Sequence, residues 1–150
     1  MTEAITLAID SQFDHVFLVG LSVHAVCAGL GLGDEAAGAV ELSVVEAVNN
    51  CVEHAYREEP GHRVEIHLAA AFGALRVAVR DRGRCLDWAA ACARADAYAA
   101  DAAAEGGRGV FIMRSLMDGV DYVSTDGLNE LILIKRLPSA ATEAPRPAAS

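Results

Sequence analysis

Apolar residues alternate with polar or small ones along Ile5-Thr-Leu-Ala-Ile9, the two-residue period of a strand with one buried face, and Asp10-Ser11 then reads as a turn and helix-cap signal. The period then changes. Between Gln12 and about Leu30, the residues Phe13, Val16, Phe17, Leu21, His24 and Ala28 recur at helical spacings, until Gly29, Gly31 and Gly33 break the run. Asp34 is the expected N-cap of a second helix that reaches Tyr56, with Val40, Val44, Val45, Val48 and Val52 as its apolar stripe. So many β-branched residues mean that packing, not propensity, must hold this helix. The two-residue period returns over residues 64–70 and 75–81, two strands joined as a hairpin by Phe72-Gly-Ala74. The second of them runs straight into Asp81-Arg-Gly83.

Residues 88–105 differ from the rest, being alanine-dominated with Arg94, Asp96 and Asp101 scattered among them. Propensity favours a helix there, with little to anchor it. Residues 106–109 open a short helix carrying Val110, Ile112, Met113, Leu116 and Met117, which Asp118-Gly119 ends, and a last hairpin over 121–124 and 130–137 turns at Asp126-Gly127. Beyond Leu137 no core-forming residue occurs, so residues 1–137 are expected to form one domain and 138–150 a disordered tail. The order strand, two helices, hairpin, helix, hairpin predicts an α+β fold: a two-layer sandwich with a mostly antiparallel sheet and helices on one face.

Composition narrows the function. The net charge is −9, and no Lys or Arg precedes Arg57, a stretch holding eight of the 21 acidic residues; the remaining thirteen face all twelve basic ones. Direct nucleic-acid binding is therefore not expected, because neutralising phosphates needs a basic patch. The apolar runs are far short of the ~20 residues that cross a bilayer, and the acidic start lacks the basic region of a signal peptide, so a cytoplasmic protein without a membrane span is expected. Cys27, Cys51, Cys85 and Cys92 have neither metal-ligand nor disulfide-framework spacing. Lys135 is the sole lysine and no GxxxxGK[ST] run occurs, so any phosphate must be held by backbone and arginine.

Three segments carry candidate chemistry. Residues four apart on a helix are offset by only about 40°, so Glu46, Asn50 and His54 form a ladder up one face. A carboxylate there suits proton abstraction and an amide oxygen suits Mg²⁺, although a solvated polar face is the commoner reason for such a ladder. Asp81-Arg-Gly83, at the end of a buried strand, offers an acceptor for an exocyclic amine such as adenine's, with a simple turn as the rival account. Gly106-Gly-Arg-Gly109 opens an apolar helix whose free N–H groups and positive dipole end suit an anion, with a ligand-free glycine hinge as the alternative.

Taken in this order, the segments resemble the GHKL ATPase superfamily, of the gyrase, histidine kinase and MutL type. Within it they look most like serine-kinase anti-sigma factors of the RsbW and SpoIIAB type. Glu46-x-x-x-Asn50 matches the N box, Asp81-Arg-Gly-Arg-Cys-Leu-Asp87 the adenine box, and Gly106-Gly-Arg-Gly-Val-Phe-Ile-Met-Arg-Ser-Leu-Met-Asp118 the second glycine box. The resemblance implies the Bergerat fold, ATP and Mg²⁺ as cofactors, and Glu46 as general base. It implies Asn50 as the Mg²⁺ ligand, Asp81 and Gly83 at the adenine, and Gly107, Arg108 and Gly109 at the phosphates, with Gly106 and Val110 also binding the cofactor. Residues 88–105 would be the lid over ATP. Glu46, where sensor histidine kinases usually carry Asn, implies a hydroxyl acceptor. The implied function is an ATP-dependent protein serine kinase that binds a sigma factor and phosphorylates a serine of an antagonist, a STAS-domain protein, with a homodimer as a further option. The alternative is a non-catalytic, nucleotide-sensing module that sequesters a protein partner. Two departures stand out: Cys85, where many relatives have glycine or proline, and Leu128-Asn-Glu130, where a threonine often approaches the nucleotide.

Overall fold

The computed structural model describes residues 3–138, so the tail expected over 138–150 lies outside the described residues from 139 onward. Five strands form one sheet: β1 (Glu3–Asp10), β2 (Arg63–Ala71), β3 (Ala74–Asp81), β4 (Gly119–Thr125) and β5 (Leu128–Arg136). Their spatial order is β1-β2-β3-β5-β4 and each neighbouring pair is antiparallel. The helices are α1 (Val16–Gly29), α2 (Asp34–Asn50), α3 (Trp88–Ala100) and α4 (Arg108–Leu116), with a 3₁₀ turn, Phe13–His15, leading into α1.

Alternation along the strands sends Val64, Ile66 and Leu68 of β2, Leu75, Val77 and Val79 of β3, and Leu131 and Leu133 of β5 to the inner face. They meet Val19 and Val23 of α1, Val40, Val44 and Val48 of α2, and Met113 of α4 in one core. The outer face is polar. Arg76 and Arg80 flank Glu130 (3.8 and 3.2 Å), and Glu65 pairs with Arg63 (2.6 Å) and His67 (2.9 Å). Such partly exposed pairs contribute little stability, but they leave only one face for helices to cover.

Both hairpins turn on two residues with positive φ, Phe72-Gly73 (52° and 74°) and Asp126-Gly127 (51° and 80°), the handedness that matches strand twist. Ala74, expected in the first turn, belongs to β3.

Three local expectations change. Gly33, not Asp34, is the N-cap of α2, with Asp34 as its first residue and no side-chain cap. The expected helix to Tyr56 widens over Cys51–Ala55 into a π turn, where Tyr56 N–H reaches the Cys51 carbonyl (3.0 Å). Finally, α3 is better anchored than its composition suggests: Ala91 and Ala95 are buried, Tyr98 meets Phe111 of α4, and Asp96 pairs with Arg114 (3.1 Å). Alanine is small enough to let α3 lie close against the core.

Leu133 is fully buried, whereas Phe17 is 69% exposed. Equilibrium denaturation should therefore find Leu133→Ala less stable by about 3 kcal/mol and Phe17→Ser changed by less than about 0.5 kcal/mol.

Candidate functional site

A cavity of about 510 Å³ opens between α2, α3, α4 and the ends of the central strands, within the size range of small-molecule sites. Its wall includes Asn50, Asp81, Gly106, Gly107, Gly109 and Val110. Residues sixty apart in sequence are thus brought to one concavity. Glu46, Gly83 and Arg108 are not part of that wall, and each has a different relation to it.

Asp81 ends β3 at an inward-facing position and is 7% exposed. Register pairs it with Asn129, likewise inward on β5 and 1% exposed. Asn129 Nδ2 donates to Asp81 Oδ1 (2.8 Å) and to the Gly83 carbonyl (3.0 Å), while Asn129 Oδ1 accepts from the Ser124 hydroxyl (2.7 Å). The Gly83 N–H also donates to Asp81 Oδ1 (2.9 Å), and the Cys51 thiol donates to Oδ2 (3.4 Å). Burial first, and the Asp81 charge second, push the Cys51 thiol well above its ordinary pKa, so it stays protonated and keeps donating.

Gly83 acts through its backbone. A Cβ there would collide with the Ala55 carbonyl, the group to which the Arg84 N–H donates (2.8 Å). Glycine lets the Asp81–Arg84 turn rest on the end of the π turn, and the turn in return braces Asp81. Tyr56 adds a second tie, donating to the Arg63 carbonyl (2.9 Å) and accepting from the Arg82 N–H (2.7 Å).

At the other end of the cavity, Gly107 caps α4 with φ +81°, and a Cβ on it would collide with the Arg94 carbonyl of α3. Gly109 faces α2 so closely that a Cβ would stand 3.0 Å from Glu46 Oε2 and 3.7 Å from Asn50 Nδ2. The close approach of α4 to α2 therefore sets the Glu46 carboxylate against the start of α4, just outside the cavity wall. Among the described residues Glu46 forms no ion pair or side-chain hydrogen bond, so its carboxylate is available to accept a proton. Arg108 is exposed and, among the described residues, has no ion-pair partner. His54 lines the cavity but is 62% exposed, beside Glu53 (3.8 Å), where the π turn carries it off the regular spacing of the ladder.

Sequence reasoning passed over several wall residues. Arg57, Arg84 and Arg94 line the cavity and, among the described residues, none has a carboxylate within ion-pairing distance, whereas Arg63, Arg76, Arg80 and Arg114 do. Unpaired guanidinium groups at a concavity of an acidic protein suit an anionic ligand. Trp88 and Tyr122, stacked at 6.0 Å, supply aromatic surface. Arg84 sits inside the Asp81–Asp87 motif and was the most readable of these; Tyr122 had no local signal.

The model of the family described as "Histidine kinase-like ATPase domain" matches residues 9–135, most of the chain. The chain belongs to that family. Among curated relatives, the serine-protein kinase RsbW of Listeria monocytogenes is 28% identical over 154 residues, covering 95% of this chain and 98% of the relative. Serine-protein kinase RsbW of Bacillus subtilis is 27% identical over 128 residues, covering 83% and 80%. A crystal structure of the RsbU and RsbW domains of Rv1364c from Mycobacterium tuberculosis superposes with a TM-score of 0.62 at 20% identity, covering 90% of this chain and 32% of that longer one. The likeness in fold bears out the expected α+β histidine kinase-like architecture, and the family match bears out the resemblance read from the three motifs. Within the described residues, no helix is long and apolar enough to cross a membrane.

The four thiols should react unequally. Burial and the nearby Glu41 push Cys27 up to about 11, Cys51 is pushed up too, and Cys85 is exposed. Alkylation at pH 8 followed by peptide mass spectrometry should label Cys85 first, and Cys27 and Cys51 only on unfolding.

Proposed function

We propose that this chain is an ATP-dependent protein serine kinase acting as an anti-sigma factor: it binds a sigma factor and phosphorylates a serine of an anti-sigma factor antagonist, a STAS-domain protein, in the cytoplasm. The observation that carries the kinase reading is the contact of Gly109 with Glu46 and Asn50, which sets a free carboxylate and a neutral amide beside a glycine turn at a cavity floored by Asp81. The residues fit the implied ligands. Asp81 retains acceptor capacity toward the cavity for an exocyclic amine, and the turn at 106–109 leaves backbone close to the space a phosphate chain would take. Asn50 would hold Mg²⁺, and Gly106, Gly107, Gly109, Val110 and Arg108 the phosphates. Bound there, ATP supplies the phosphoryl group and Mg²⁺ the charge that neutralises it.

The work of this chain's own residues is positioning and proton transfer. Glu46 accepts the proton of the incoming serine hydroxyl at its carboxylate as that oxygen becomes the nucleophile. Helix α3 and the segment after it cover one side of the cavity and help exclude water. Glu46→Ala should therefore lower phosphorylation of the antagonist by about 10²–10⁴-fold while the Kd for ATP stays within about threefold. Transfer from labelled ATP at the wild-type rate would remove Glu46 from the mechanism.

The partner reading rests on α1, which contributes nothing to the cavity wall. Phe13, Phe17, Leu18 and Leu21 are 44–69% exposed, and Asp14, Asp34 and Glu35 are exposed in a segment without Lys or Arg. An apolar surface with acidic surroundings suits a basic protein face such as one on a sigma factor; a homodimer is its other use. The same surface supports the alternative, a nucleotide-sensing module that sequesters its partner without transferring phosphate. Nucleotide binding with no label reaching the antagonist would favour that alternative. Raising salt from low to physiological strength should weaken capture of the sigma factor, and Phe17→Ser should weaken it at least tenfold. Surface plasmon resonance reads both, and affinity that ignores salt and Phe17 would exclude this surface.

A further inference from the structure

Asn129 reaches none of the cavity wall, yet it governs Asp81, a buried acidic group that lines the cavity. Its amide orientation is unambiguous. Two acceptors, Asp81 Oδ1 and the Gly83 carbonyl, lie at 2.8 and 3.0 Å from Nδ2, and a hydroxyl donor, that of Ser124, lies at 2.7 Å from Oδ1. Turning the amide over would set oxygen against oxygen at both Nδ2 contacts. Both amide hydrogens are therefore committed.

The consequence falls on Asp81. A carboxylate has about four acceptor positions. Asn129 and the Gly83 N–H take those of Oδ1, and the Cys51 thiol takes one on Oδ2. A single position on Oδ2 is left for a ligand. One acceptor position suffices for one exocyclic amine, as on adenine. A guanine edge differs, because its ring N1–H and its exocyclic amine are adjacent donors that a carboxylate captures by offering both oxygens at once.

We propose that Asn129 is a specificity-determining residue: by saturating Asp81 Oδ1 it leaves a single-acceptor reader that takes an amino-purine nucleotide and rejects a guanine nucleotide. It acts through Asp81 and is a positioning residue, not a catalytic one. This inference rests on the reading above that a nucleotide occupies the cavity, and the test separates the two.

The test measures Kd for Mg-ATP and Mg-GTP by calorimetry on the full chain and on two variants of nearly equal shape. Asn129→Thr keeps one hydroxyl donor at the strand position and Asn129→Val keeps none, and both are good strand residues. The wild-type protein should prefer ATP at least tenfold. The Thr variant should hold that preference within about threefold of wild type. The Val variant should lose at least tenfold of it, through weaker ATP binding and stronger GTP binding together. Should the Val variant not fold, Asn129→Ser and Asn129→Ala repeat the comparison with smaller side chains. A Val or Ala variant that keeps the ATP preference, or Thr and Val variants that behave alike, would overturn the role of Asn129 and leave the nucleotide site standing. A wild-type protein that binds neither nucleotide would overturn the site itself, and this inference with it.

Discussion

The site depends on the pairing of β3 with β5. Their register sets Asp81 opposite Asn129, and the same alternation that turns Leu75, Val77 and Val79 inward carries Asp81 inward at the strand end. A buried carboxylate without partners is costly, and this one is held by an amide, a backbone N–H and a thiol. A slip of one residue would turn every side chain of the strand over, sending Asp81 to the charged outer face and the apolar residues into water. Core and site therefore share a single constraint: the apolar pattern that makes the sheet foldable also aims the carboxylate.

Around that floor the walls are set by how closely backbones approach. Gly83 allows a turn to rest on the Ala55 carbonyl, Gly107 allows α4 to begin against α3, and Gly109 allows α4 to meet α2 at Glu46. Each contact joins segments far apart in sequence where any larger residue would intrude. The π turn at the end of α2 belongs to the same scheme. It supplies Ala55 as a fixed point for the Asp81–Arg84 turn and moves His54 toward solvent.

The sheet and its motifs were readable because they are local. Period-2 runs gave the inner and outer faces of β2 and β3, and Asp126-Gly127 marked a hairpin by its own chemistry. The three motif segments could be singled out for the same reason: glycines, a carboxylate and an amide at fixed short spacings. The anchoring of α3 was not readable, because alanines bury little area each and their contribution comes from fitting closely against α4, a property of the pair. Asn129 stood out in the sequence only as a departure from a familiar pattern; its purpose is visible only once register sets it 2.8 Å from Asp81. The unpaired arginines show the same limit, since whether a guanidinium has a partner depends on residues distant in the chain.

By itself, then, the sequence determined the α+β class, the order of strands and helices, the membership of the family and the segments that carry chemistry, because each follows from periodicity or from a short run of residues. Tertiary structure alone decided that Glu46 stands against Gly109 outside the cavity wall, that Gly83 serves as a brace for Asp81, and that Asn129 governs the floor. The reason is physical: these are contacts between segments brought together by strand register and helix packing. Their geometry is a property of the assembled core and of no single stretch of the chain.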